Sequence, residues 1–99
     1  MCIRDRRFLD LARKGRLPPP EANVRIGRYE IDFLWREARL AVEVDGFRFH
    51  SSQPAFERDR LRDAELLAQG YRVMRVTWRQ MTREPEAVLV RLARLLGEP

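Results

Sequence analysis

The chain has 99 residues, too few for two ordinary domains. Its 44% hydrophobic and 9% aromatic content can fill one core, which excludes a disordered chain, and its apolar runs are too short to span a bilayer. A net charge of +5 with a pI near 10.6 points to an anionic partner, nucleic acid first, with an arginine-rich solvated surface as the plain alternative.

The charged start has no apolar segment of the secretory kind. The single cysteine, Cys2, cannot form an internal disulfide, and zinc-ligand spacing is absent, so a reducing cytoplasm is the expected compartment. The opening "MCIRDR" resembles translated adaptor sequence, which leads to the expectation that residues 1–6 are artefactual. The single domain, 1–99, is then expected to be the C-terminal part of a longer protein.

In chain order, Phe8, Leu9, Leu11 and Ala12 predict a short helix ending near Gly15. "LPPP" at 17–20 then enforces an extended connection. Residues 22–26 and 29–35 predict two strands around a Gly27-Arg28 turn, and "REAR" leads into a third, 39–45. Ser51 or Ser52 caps a helix that opens near Pro54 and stops at Gly70. Phe56, Leu61, Ala64, Leu67 and Ala68 form its expected inner face, with Arg58, Asp59, Arg62 and Glu65 outside. A fourth strand, 71–78, ends at Trp78, which is expected in the core, and a final helix begins near Glu84-Pro85. Helix, three strands, helix, strand, helix describes an α/β fold with a mixed central sheet flanked by helices.

The stretch "AVEVDGFRFH" at 41–50 places two acids in an apolar strand and then a Gly and the chain's only His. If Trp35 pairs with Leu40, Phe33 faces Val42, Asp32 faces Glu43, Ile31 faces Val44 and Glu30 faces Asp45. Tyr29, Ile31, Phe33 and Trp35 then share one face with Val42 and Val44. Slipping by one residue would mix the acids with the apolar set. Directly opposed carboxylates repel, so solvent, arginines, a proton or a metal must offset them. Carboxylates at this spacing suit Mg²⁺, which takes oxygen ligands and retains waters.

Asp32, followed eleven residues later by "EVD" on strands two and three, resembles the PD-(D/E)xK nuclease superfamily. The longer run "YEIDFLWREARLAVEVDGFRFH", with "AFERDRLRD" and "GYRVMRVTWRQMTREPEAV", is similar to a bacterial domain family related to the very-short-patch-repair (Vsr-like) endonucleases. The resemblance covers about residues 7–96 and implies a restriction-endonuclease-like core acting on DNA with Mg²⁺ or Mn²⁺. It implies that Asp32, Glu43 and the backbone carbonyl of Val44 hold the metal. Asp45 stands where the superfamily has Lys, so it would add a metal ligand or accept a proton. His50 would supply acid/base chemistry. Arg48, Arg58 and Arg62 would contact phosphate, and Asp59 and Arg62 recur in the family near the site. The bland reading of Asp59 and Arg62 is an ion pair on a helix face. The first helix of the superfamily often carries a Glu near its start; Asp5 falls there and receives no role.

Two further readings stand beside the metal-dependent endonuclease. One is a catalytically inactive nucleic-acid-binding module that keeps the fold, motivated by the missing Lys. The other is a regulatory domain behind an upstream winged-helix segment.

Overall fold

The computed structural model describes residues 1–45 and 52–97. Helix α1 (Ile3–Lys14) turns Phe8, Leu11 and Ala12 inward at helical spacing. Asp5 in its first turn and Arg13 and Lys14 in its last suit the helix dipole, while Arg4 and Arg6 in the first turn oppose it. After the proline stretch, β1 (Glu21–Ile26) and β2 (Tyr29–Trp35) form a two-residue hairpin. Gly27 holds φ 61 at its first turn position, where a residue with a Cβ would be strained.

Strand β3 (Leu40–Asp45) pairs antiparallel with β2. Helix α2 (Gln53–Ala68) then crosses over, and β4 (Arg72–Thr77) pairs parallel with β3. Sheet order is β1-β2-β3-β4, the expected mixed sheet. Ser52 caps α2 by accepting from the Ala55 amide at 3.2 Å. At the other end, Arg39 donates to the Gln69 and Gly70 carbonyls at 2.6 and 3.1 Å, and Gly70 turns away with φ 93.

The chain after β4 departs from expectation. The strand stops at Thr77, and Trp78 opens a short helix, α3 (Trp78–Arg83). Thr77 and Gln80 form a reciprocal capping box there, which ends the strand and starts the helix together. Trp78 packs partly buried against the core, with the Arg7 guanidinium 5.1 Å from its ring centroid. Helix α4 (Pro85–Gly97) follows and buries Val88 and Leu92.

Two apolar layers hold the sheet. On one face, Phe8 of α1 stacks on Phe33 at 4.8 Å and meets Trp35 edge-on, joined by Val42, Val44, Val76 and the inner faces of α3 and α4. On the other, Ile26, Ile31, Leu34 and Ala41 pack around Leu66 of α2.

The membership of these layers corrects the expected strand faces. Phe33 and Trp35 lie in the first layer, but Ile31 and Tyr29 lie in the second, so the alternation of β2 breaks at Asp32. Strand β1 breaks opposite: Ala22 pairs with Phe33 and Val24 with Ile31, while Asn23, at φ 54, lies in the gap between them. The register is the same on both sides, so the ribbon bends without gaining a residue. The physical reason is the left-handed backbone of Asn23, which interrupts the pleat that a period of two assumes.

The orientation of α2 is a second correction. Phe56, Leu61 and Leu67 are exposed, at 49%, 54% and 65%, and Leu66 is its buried residue. Arg62 and Asp63, expected outside or unremarked, are half-buried against the sheet. The sheet beneath is apolar around Leu66 but presents Glu43, Asp45 and Arg75 further along, and Arg62 and Asp63 of the helix meet that charged part.

Candidate active site

The β2–β3 ladder follows the expected register through Trp35↔Leu40, Leu34↔Ala41 and Phe33↔Val42, and stops there. Beyond it, β2 stays with β1, where Glu30 pairs with Arg25 rather than with Asp45, and β3 stays with β4. The expected Ile31–Val44 and Asp32–Glu43 backbone pairs do not form. Side chains bridge the fork instead: the Asp32 amide donates to Glu43 Oε2 at 3.1 Å, and the Val44 amide donates to Asp32 Oδ2 at 2.8 Å. Two backbone donors that would otherwise be stranded are thereby satisfied by two carboxylates.

Glu43 is the buried acid of this fork, 7% exposed. Burial, then the charge of Asp32, raises its pKa to about 7, against the opposing pull of the Asp32 amide and Arg62. Arg62 Nη2 stands 2.5 Å from Glu43 Oε1 and donates to the Glu30 carbonyl at 3.0 Å.

Asp45 lies one pleat further along the same face of β3. Burial raises its pKa first, with Asp59 and Asp32 adding and Arg75 opposing. Arg75 of β4, the parallel partner of Glu43, reaches Asp45 at 3.4 Å, Asp63 at 3.0 Å and Asp59 at 4.0 Å. It gathers one acid from the sheet and two from α2. Sequence reasoning missed both Arg75 and Asp63. The available signal was an arginine in the middle of an apolar strand, "VMRVT", which mirrors Glu43 in "AVEV".

Asp5 approaches from the opposite layer, near enough for the Asp32 charge to raise its pKa together with burial, which is the larger cause. The structure thus brings Asp32, Glu43, Asp45, Asp59 and Arg62 to one end of the sheet and adds Arg75 and Asp63, with Asp5 within range of the Asp32 charge. Arg58 is exposed on α2 and makes no ion pair among the described residues. Arg48 and His50 lie outside the described residues.

Among the described residues, no three acidic, His or Cys side chains converge as a ready-made metal cage. The donor chemistry nevertheless fits a hard cation, because Mg²⁺ is commonly held by one or two carboxylates and keeps its waters. Asp32 and Glu43 are such a pair, and their mutual repulsion is the electrostatic condition a cation relieves. No described helix is long and apolar enough to cross a membrane.

Among solved structures, the chain is similar to the catalytic domain of the homing endonuclease I-Bth0305I. The TM-score is 0.77 with 19% identity, covering 96% of this chain and 94% of that one; at this identity the likeness shows the fold. Among sequences, an uncharacterised protein of Haemophilus influenzae is 41% identical over 61 residues, 62% of this chain and 50% of that protein. An uncharacterised protein of Mycobacterium tuberculosis (strain H37Rv) is 31% identical over 68 residues, 69% of this chain and 25% of that protein. The matched segment therefore spans half of the first relative and a quarter of the second. Residues 10–96 match the family REase_MTES_1575, and the chain belongs to this restriction-endonuclease-like family.

Proposed function

We propose that this domain is a metal-dependent endonuclease that hydrolyses DNA phosphodiester bonds by attack of an activated water. The observation that carries the reading is the fork between β2 and β3, with Asp32 and Glu43 cross-bonded through each other's strand. The two carboxylates would hold Mg²⁺ or Mn²⁺, with the Val44 carbonyl assisting. When bound, the ion would polarise the phosphate and lower the pKa of a coordinated water.

The chain's own residues supply the rest. Asp32 and Glu43 are fixed by backbone amides, so their oxygens are held without the entropy loss of ordering mobile side chains. Asp45, which approaches Arg75 at 3.4 Å, would add a metal ligand or accept a proton from the attacking water. His50 is proposed as the acid/base group and Arg48, Arg58 and Arg62 as phosphate contacts. The Vsr-like kinship and the DNA substrate belong to the same proposal.

Supercoiled plasmid incubated with Mg²⁺ or Mn²⁺ tests the reading: nicking is expected, and Asp32→Ala and Glu43→Ala should each abolish it. Metal-dependent nicking that survives loss of both carboxylates would refute the assignment. The second reading, an inactive DNA-binding module, draws on the Arg62–Glu43 ion pair, which already supplies a cation to the buried acid. It predicts salt-sensitive DNA binding with no cleavage in any divalent metal.

A further inference from the structure

Arg62 sits one turn before the buried Leu66, on the stripe of α2 that faces the sheet. The helix is held there by Arg75, which grips Asp63 and approaches Asp59, and by Glu65, which meets the Tyr29 hydroxyl and the Arg28 guanidinium. So placed, the Arg62 guanidinium meets, among the described residues, Glu43 Oε1, the Glu30 carbonyl and the Tyr29 ring, whose centroid is 5.8 Å away. Its Nε is buried and has no hydrogen-bond partner among the described residues. That nitrogen has therefore given up water, although the side chain as a whole remains 20% exposed, and among the described residues one carboxylate oxygen is its anionic compensation.

The two oxygens of Glu43 have different obligations. Oε2 accepts the Asp32 amide that closes the fork, and Oε1 faces Arg62. A divalent cation that uses Glu43 through Oε2 must share that oxygen with the Asp32 amide, on the lone pair the fixed strand leaves over. It can take Oε1 by displacing a long side chain anchored on a separate helix. The second route is the less constrained one, because arginine can swing toward solvent or toward another anion while a strand amide cannot.

We propose that Arg62 is a built-in counter-cation, competing with the divalent metal for Glu43 and turning to the substrate phosphate once the metal has taken its place. The inference rests on the nuclease reading and adds a coupling to it. Metal entry liberates a phosphate-binding guanidinium, so metal and DNA each raise the other's affinity, as linkage requires.

Calorimetric titration of Mn²⁺ into the wild-type chain, Arg62→Met and Arg36→Ala tests the competition. Methionine keeps the apolar stem of the side chain, and Arg36, paired with the exposed Glu21, controls for net charge. Arg62→Met is expected to bind Mn²⁺ roughly tenfold tighter, which corresponds to ~1.4 kcal/mol, with Arg36→Ala unchanged. Equal or weaker binding by Arg62→Met would overturn the competition. Fluorescence anisotropy of a labelled duplex with and without Ca²⁺ tests the release. Ca²⁺ should tighten wild-type binding, and this gain should shrink several-fold in Arg62→Met, whereas an undiminished gain would overturn the release. If neither protein binds Mn²⁺, both the competition and the metal-dependent reading fall. If wild type binds and nicks while Arg62→Met matches it in affinity, the competition alone falls.

Discussion

Glu43→Gln isolates the titration of the fork. In the folded chain Glu43 carries its proton up to about 7, against an ordinary value of 4.5. The folded state therefore holds the proton more tightly than the unfolded state. The associated stability is fully present below about pH 4.5 and is lost as the pH rises through about 7. At 1.36 kcal/mol per pH unit, the loss is on the order of 3 kcal/mol for a group so well buried. Glutamine cannot ionise and keeps one carbonyl acceptor for either the Asp32 amide or Arg62. The variant starts less stable in acid because it satisfies only one of the two donors. Urea denaturation of both proteins between about pH 5 and about pH 8 should show wild type losing ~2–3 kcal/mol relative to the variant. Asp5 and Asp45, also raised, are present in both proteins and largely cancel in the difference. A wild-type-minus-variant difference that stays flat within about 0.5 kcal/mol over that range would refute the account of a buried, repelled carboxylate.

Arg75→Met removes the shared partner of Asp45, Asp59 and Asp63; thermal denaturation should show a loss of about 2 kcal/mol, with part of the buried-pair cost discounted for the exposure of Asp45 and Asp59. Asp32→Asn keeps an acceptor for the Val44 amide, so stability should move by less than about 1 kcal/mol while metal-dependent nicking falls at least about a hundredfold. Gly70→Ala introduces a Cβ at φ 93, 3.2 Å from Arg39 Nε, and should cost roughly 1–2 kcal/mol in urea denaturation.

Most of the fold was legible because local signals agreed. The hairpin glycine, the Ser52 cap with Pro54 behind it and the Gly70 stop each act within a few residues, and the Trp35–Leu40 pairing follows from patterning alone. The short helix α3 had its signal too, since "TWRQ" is a capping box in plain sequence. What escaped depends on partners distant in the chain. The inward face of α2 was read from apolar periodicity, yet part of the surface beneath it is charged, so the helix is rotated to bury Leu66 and bring Arg62 and Asp63 onto the sheet. The break at Asp32 depends on the backbone of Asn23 in the neighbouring strand. Within the site, Asp32 and Glu43 stood out because acids in apolar strands are conspicuous. Arg75 did not, because its partners come from β3 and α2 and meet only once the crossover is made.

The bend at Asn23 and Asp32 has a consequence for the packing of β2. Residues 33–35 of β2 anchor in the layer beneath α1 and α4 through Phe33 and Trp35, while Tyr29 and Ile31 anchor in the layer beneath α2. A single strand is thus stitched through both layers, and Asp32 is the stitch's crossing point. The two acids of the fork therefore stand where side chains committed to both layers meet, Phe33 and Trp35 on one side and Tyr29 and Ile31 on the other.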